Sequence, residues 1–121
     1  GIDLIAKPGT EVVAALDGTV LRVIEGSRGK TSKSRRAGLF VDVRGSDDLI
    51  YRYLHLAEAR VQKGEAIRQG TLIGVVAAPF TSGLKELPHL HFEIRQEDYQ
   101  RSREDYGTPV DPLRVLPALR S

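Results

Sequence analysis

Apolar and polar residues alternate with a period of two through most of the chain, and no long stretch repeats at the helical period. That pattern predicts many short strands, each with one buried face. It is clearest in Pro88-His89-Leu90-His91-Phe92-Glu93-Ile94, where Leu90, Phe92 and Ile94 fall on one face and His89, His91 and Glu93 on the other. Strands are also predicted over 1–6, 11–15 and 18–25, the last two joined as a hairpin by a tight turn at Leu16-Asp17-Gly18. A second hairpin is predicted from 39–44 and 48–56, turning at Gly45-Ser46-Asp47. In its second arm, alternation puts Tyr51, Tyr53 and His55 on one face.

Between these elements the punctuation is mostly glycine and proline. Lys7-Pro8-Gly9-Thr10 is a turn, and Gly64 and Gly70 mark closely spaced turns between very short strands. The segment 9–15 weakly resembles this glycine-punctuated middle, so an internal quasi-repeat is expected. Residues 27–36 carry Arg28, Lys30, Lys33, Arg35 and Arg36 without an acid and read as a flexible, solvated basic loop. A short helix is an option only in the charged stretch 96–107, and 108–116 reads as an extended segment or single turn that closes the domain. The predicted fold class is all-β: a compact domain of short, mainly antiparallel strands with glycine-rich turns and little helix.

Composition narrows this picture. A chain of 121 residues fits one domain, 1–121, with a core large enough to need no staples. The formal net charge of +2 gives no argument for nucleic acid, and no apolar run is long enough for a membrane span. Cysteine is absent, which excludes disulfides, zinc–thiolate sites and cysteine nucleophiles, so any metal must be held by His, Asp or Glu. Methionine is absent too, and the chain is expected to be the C-terminal part of a longer protein.

Candidate chemistry therefore rests on the three histidines and the acids near them. His89 and His91 on one strand face can set a metal ligand beside a second catalytic group. The spacing alone fits an amphipathic strand with two exposed histidines better. Asp3 lies between apolar residues in a predicted strand, where aspartate is disfavoured, and by itself reads as a solvated edge carboxylate.

Set in order, these pieces resemble the lysostaphin-like zinc metallopeptidases, the peptidoglycan endopeptidases of duplicated-hybrid-motif type. Gly1-Ile2-Asp3, Pro8-Gly9-Thr10 and Asp17-Gly18-Thr19-Val20 look like the family's opening block, and Tyr53-Leu54-His55-Leu56 like its central motif. Gly64, Gly70 and Ile73-Gly74 look like its middle, Pro88-His89-Leu90-His91-Phe92-Glu93 like its signature, and Val110-Asp111-Pro112 like its close. The resemblance implies that Asp3 and His91 bind Zn2+ and that a third ligand, a histidine, lies upstream of Gly1. It implies that His55 and His89 stand beside the metal as catalytic groups, either of them able to serve as general base. Tyr53 is expected to offer a hydroxyl to substrate. The stretch 75–80 and the loop 81–87 depart from the family pattern, so its substrate preferences do not carry over.

The implied function is hydrolysis of peptide bonds in bacterial cell-wall peptidoglycan by metal-activated water, in the periplasm or outside the cell. The alternative is a non-catalytic relative that binds cell wall or regulates another hydrolase; the presence of Asp3, His55, His89 and His91 argues against it. A biotinyl or lipoyl carrier would need a lysine at a hairpin tip, where this chain has Leu16-Asp17-Gly18.

Overall fold

A computed structural model describes residues 2–26, 32–84, 87–96 and 108–110. Among them are the strands β1 (Ile2–Ile5), β2 (Glu11–Val13), β3 (Gly18–Glu25), β4 (Leu39–Gly45) and β5 (Ile50–Ala59). They are followed by β6 (Ala66–Ile67), β7 (Leu72–Val76), β8 (His89–Gln96) and β9 (Thr108–Val110), and one helix, α1 (Ser32–Ala37), precedes β4. The strands form one antiparallel sheet in the order β1-β8-β5-β4-β3-β6, with β7 bridging β2 and β5, and β9 beside β8. The all-β expectation is met.

The alternation read from sequence sets the faces. Tyr51 and Tyr53 of β5 lie directly opposite Ile94 and Phe92 of β8, and all four point into the core with Val41, Val43, Val20 and Ile73. Burying side chains of this size contributes roughly 1.5–3 kcal/mol each, so this face fixes the sheet. The opposite face of the same strands carries His91, Glu93, Leu54 and Arg52.

The quasi-repeat has a structural counterpart. The Gly9 and Gly70 N–H groups donate to the carbonyls of Val76 and Ala14, while Ala14 and Val76 N–H donate to those of Thr71 and Thr10. The two similar turns thus clasp each other reciprocally as β2 pairs with β7.

Two local expectations change. The hairpin at Leu16-Asp17-Gly18 does not form, because β2 pairs with β7 while β3 pairs with β4 and β6. Asp17 instead ties a corner, its carboxylate accepting from Gln69 N–H at 2.7 Å and its carbonyl from Ser46 N–H at 2.9 Å. Part of the expected basic loop is the helix α1. The second predicted hairpin forms as β4 and β5. The option of a helix at 96–107 falls almost wholly outside the described residues, and of the closing segment only β9 is described.

Candidate metal centre

Three strands build the site. Asp3 on β1 lies directly opposite His91 on β8, and Ile5 opposite His89, so Asp3, His89 and His91 share a face by register alone. Asp3 Oδ1 is 2.5 Å from His91 Nδ1 and 3.6 Å from His89 Nε2. The three residues each offer a ligand atom, and these atoms all lie within 4.8 Å of one another.

His55 reaches the same place by a different route. Leu39 and Val41 of β4 pair with Leu56 and Tyr53 of β5, so β5 carries one extra residue between them. This is a β-bulge, and His55 within it has φ of 64°, in the left-handed region. The bulge breaks the alternation. Tyr53 and Leu56 both stay in the core, and the His55 ring turns to lie 5.0 Å from His89 and 6.1 Å from His91, centre to centre. The expectation that His55 shares a face with Tyr51 and Tyr53 is thereby corrected.

Tyr53 is corrected with it. It is only 2% exposed, packs on Phe92, and its hydroxyl accepts from Ala15 N–H at 3.0 Å. It lines an apolar cavity of about 370 Å³ with Leu4, Leu90 and Phe92, on the face away from the histidines. Burial pushes its hydroxyl up to about 12.

The hydrogen-bond partners sort the imidazoles. His55 Nδ1 lies 2.8 Å from the Ser82 carbonyl and His89 Nδ1 2.9 Å from the Leu87 carbonyl. A carbonyl only accepts, so in both rings Nδ1 carries the proton and Nε2 keeps its lone pair. Ser82 is itself clamped: its hydroxyl accepts from Leu39 N–H at 2.9 Å, and its backbone lies where a Cβ on Gly38 would fall, 2.0 Å from the carbonyl oxygen. Sequence reasoning missed Ser82, because a backbone carbonyl leaves no mark in residue identity.

Charges follow the same geometry. Burial holds the His55 pKa below its usual 6.5 against the opposing Ser82 bond, and the neighbouring histidines add to the effect. His91 is shifted the other way, chiefly by its bond to Glu93 and also by Asp3, against burial. Burial alone would raise Asp3, but the hydrogen bond from His91 and the charge of the histidines outweigh it and hold the carboxyl below its usual range. The centre opens into a cleft of about 460 Å³ lined by Asp3, Ile5, Gly83, Leu87 and His89.

A carboxylate oxygen and imidazole nitrogens at this separation suit zinc, which accepts both donor types. The fold and this donor set together define a metallopeptidase-like domain. Peptidase family M23 matches residues 1–112, and the chain belongs to that family. Among its relatives, the cell division protein DipM of Caulobacter vibrioides is 34% identical over 117 residues, covering 97% of this chain and 17% of that protein. The peptidoglycan DD-endopeptidase ShyC of Vibrio cholerae is 37% identical over 94 residues, covering 78% of this chain and 19% of that protein. The chain thus spans less than a fifth of the length of either. The catalytic domain of the antimicrobial peptidase lysostaphin from Staphylococcus simulans superposes with a TM-score of 0.74 at 25% identity, covering 100% of this chain and 78% of that one.

Proposed function

We propose that this chain is the catalytic domain of a zinc-dependent endopeptidase that hydrolyses peptide bonds in bacterial cell-wall peptidoglycan, acting in the cell envelope or outside the cell. The observation that carries the reading is the convergence of all three histidines of the chain with Asp3. Asp3 and His91, in direct contact, would hold the metal. His89 lies close enough to Asp3 to join the ligand set. Its neighbour is the His55 ring, however, and we assign these two to proton handling. When zinc is bound, the chemistry it supplies is activation of water and polarisation of the scissile carbonyl.

In both His55 and His89 the carbonyl bond at Nδ1 leaves Nε2 as the nitrogen that can take a proton from water and return it to the leaving amine, and His89 lines the cleft. The lowered pKa of His55 keeps that form populated below neutrality. Ile5 and Leu87, 74% and 57% exposed, give the cleft an apolar rim on which substrate can lie. A second reading, a non-catalytic relative that binds cell wall or regulates another hydrolase, is favoured by relatives named for cell division and for sporulation rather than for hydrolysis. The intact set of Asp3 and three histidines speaks against it.

The test uses the full-length protein, measuring zinc content and digestion of purified peptidoglycan. Wild type is expected to carry stoichiometric zinc and digest wall, with an acid limb of kcat/KM whose midpoint lies below 6.5, the unperturbed histidine value. His91→Ala is expected to lose both zinc and activity, and His89→Ala activity alone. A metal-free, inert wild type would hand the case to the binding reading. Loss of zinc in His89→Ala would move His89 into the ligand set.

A further inference from the structure

The face that carries the histidines also carries a row of charges. Arg22, Asp42, Arg52 and Glu93 follow one another across β3, β4, β5 and β8, each opposite the next in register. Asp42, 0% exposed, accepts from Arg22 Nε at 2.7 Å and from Arg52 Nε at 2.8 Å. Glu93 ends the row and turns its two oxygens in different directions. Oε2 is gripped by Arg95, with Nε at 2.8 Å and a terminal guanidinium nitrogen at 2.7 Å. Oε1 faces His91 Nε2 at 2.9 Å.

Arg95 is 7% exposed, and its fork leaves Oε2 engaged. The remaining oxygen therefore has a fixed position and accepts only. It draws the proton of the imidazole to Nε2. The other nitrogen, Nδ1, faces the Asp3 carboxylate in the same way, and a metal shared by Asp3 and Nδ1 would take the place of the proton there while leaving the one that Glu93 accepts.

We propose that Glu93, clamped by Arg95, is a positioning residue that holds His91 with its proton on Nε2 and so presents Nδ1 to the metal beside Asp3. This rests on the zinc reading of the site. Glu93 touches neither metal nor substrate. It acts by orienting the ring and fixing which nitrogen is free. Partners of this kind on a ligating histidine commonly change metal affinity about 10–100-fold when removed.

Two measurements on the full-length protein test it: zinc affinity by competition with a chromophoric chelator, and long-range 1H–15N spectra of the zinc-loaded imidazoles. In wild type, His91 is expected to show a protonated Nε2 and a metal-bound Nδ1, while His55 and His89 are protonated on Nδ1. Glu93→Ala is expected to bind zinc about 10–100-fold more weakly. The near-isosteric Glu93→Gln has one acceptor oxygen to divide between Arg95 and His91, so it should also weaken zinc binding, with a mixed His91 spectrum. Arg95→Gln should shift affinity the same way but less. If Glu93→Ala fails to fold, Glu93→Gln decides. Unchanged affinity and an unchanged His91 spectrum in the Glu93 variants, with wild type binding zinc, overturn the proposal. A wild type that binds no zinc overturns the zinc reading itself, and this proposal falls with it.

Discussion

At the scale of single residues, His55 stands out among the described residues as the one other than glycine that combines left-handed backbone with a place inside a strand. A strand residue with φ of 64° gives up regular pairing to point its ring at the centre. Left-handed backbone costs a residue with a Cβ about 1 kcal/mol or more relative to glycine, although histidine is among the more tolerant types. His55→Gly is therefore expected to be more stable than His55→Ala by about 1 kcal/mol, measured as the difference in urea unfolding free energy. Both should be inactive on peptidoglycan while retaining zinc. Equal stability of the two variants would mean that the bulge relaxes once the imidazole is gone.

At the scale of elements, the two faces of the central strands do different work. One is apolar core; the other holds a carboxylate, Asp42, with no exposure to solvent between two guanidinium groups. Both guanidiniums also stack near Phe40, at 5.3 and 4.9 Å from its ring centre. Removing one member of a buried ionic set strands the others, typically at about 3–5 kcal/mol. Asp42→Ala should lose stability of that order in denaturant unfolding, far more than a single surface substitution. A loss under 1 kcal/mol would show that the arginines swing out to water.

The strand β8 was legible because its period of two needs no tertiary information, and register then puts Asp3 opposite His91. The direction of His55 was not legible. Alternation cannot register an extra residue in one strand of a pair, and the bulge at His55 turns that residue and Leu56 away from the faces that alternation gives them. The hairpin at Leu16-Asp17-Gly18 failed for a related reason. Asp-Gly between apolar runs favours a local reversal, but the reciprocal clasp with the second glycine turn outcompetes it. The charge row had a signal in the sequence, namely Arg22, Asp42 and Arg52 inside otherwise apolar strands. Which of them face one another depended on register.

At the scale of the whole molecule, the centre ties the start of the described chain to its last long strand. Asp3 and His91 are 88 residues apart, and a ligand that binds only the folded form adds stability by mass action. Stripping zinc from the full-length protein with a chelator is accordingly expected to lower its Tm by several degrees, about 4 kcal/mol being at stake at a thousandfold excess over Kd. His91→Ala should melt at the same temperature with and without chelator. If it responds like wild type, the stabilising ion sits elsewhere.

The placement of β1 carries a consequence for when activity can begin. Among the described residues β1 pairs with β8 alone, and β8 in turn rests on β5. β1 therefore has no strand partner among the described residues until β8 has been synthesised and seated. Closing a loop of that length is slow and entropically costly. Until β1 joins β8, Asp3 is not in register with His91. A site assembled in this order has a built-in delay, set by the distance along the chain between its two halves.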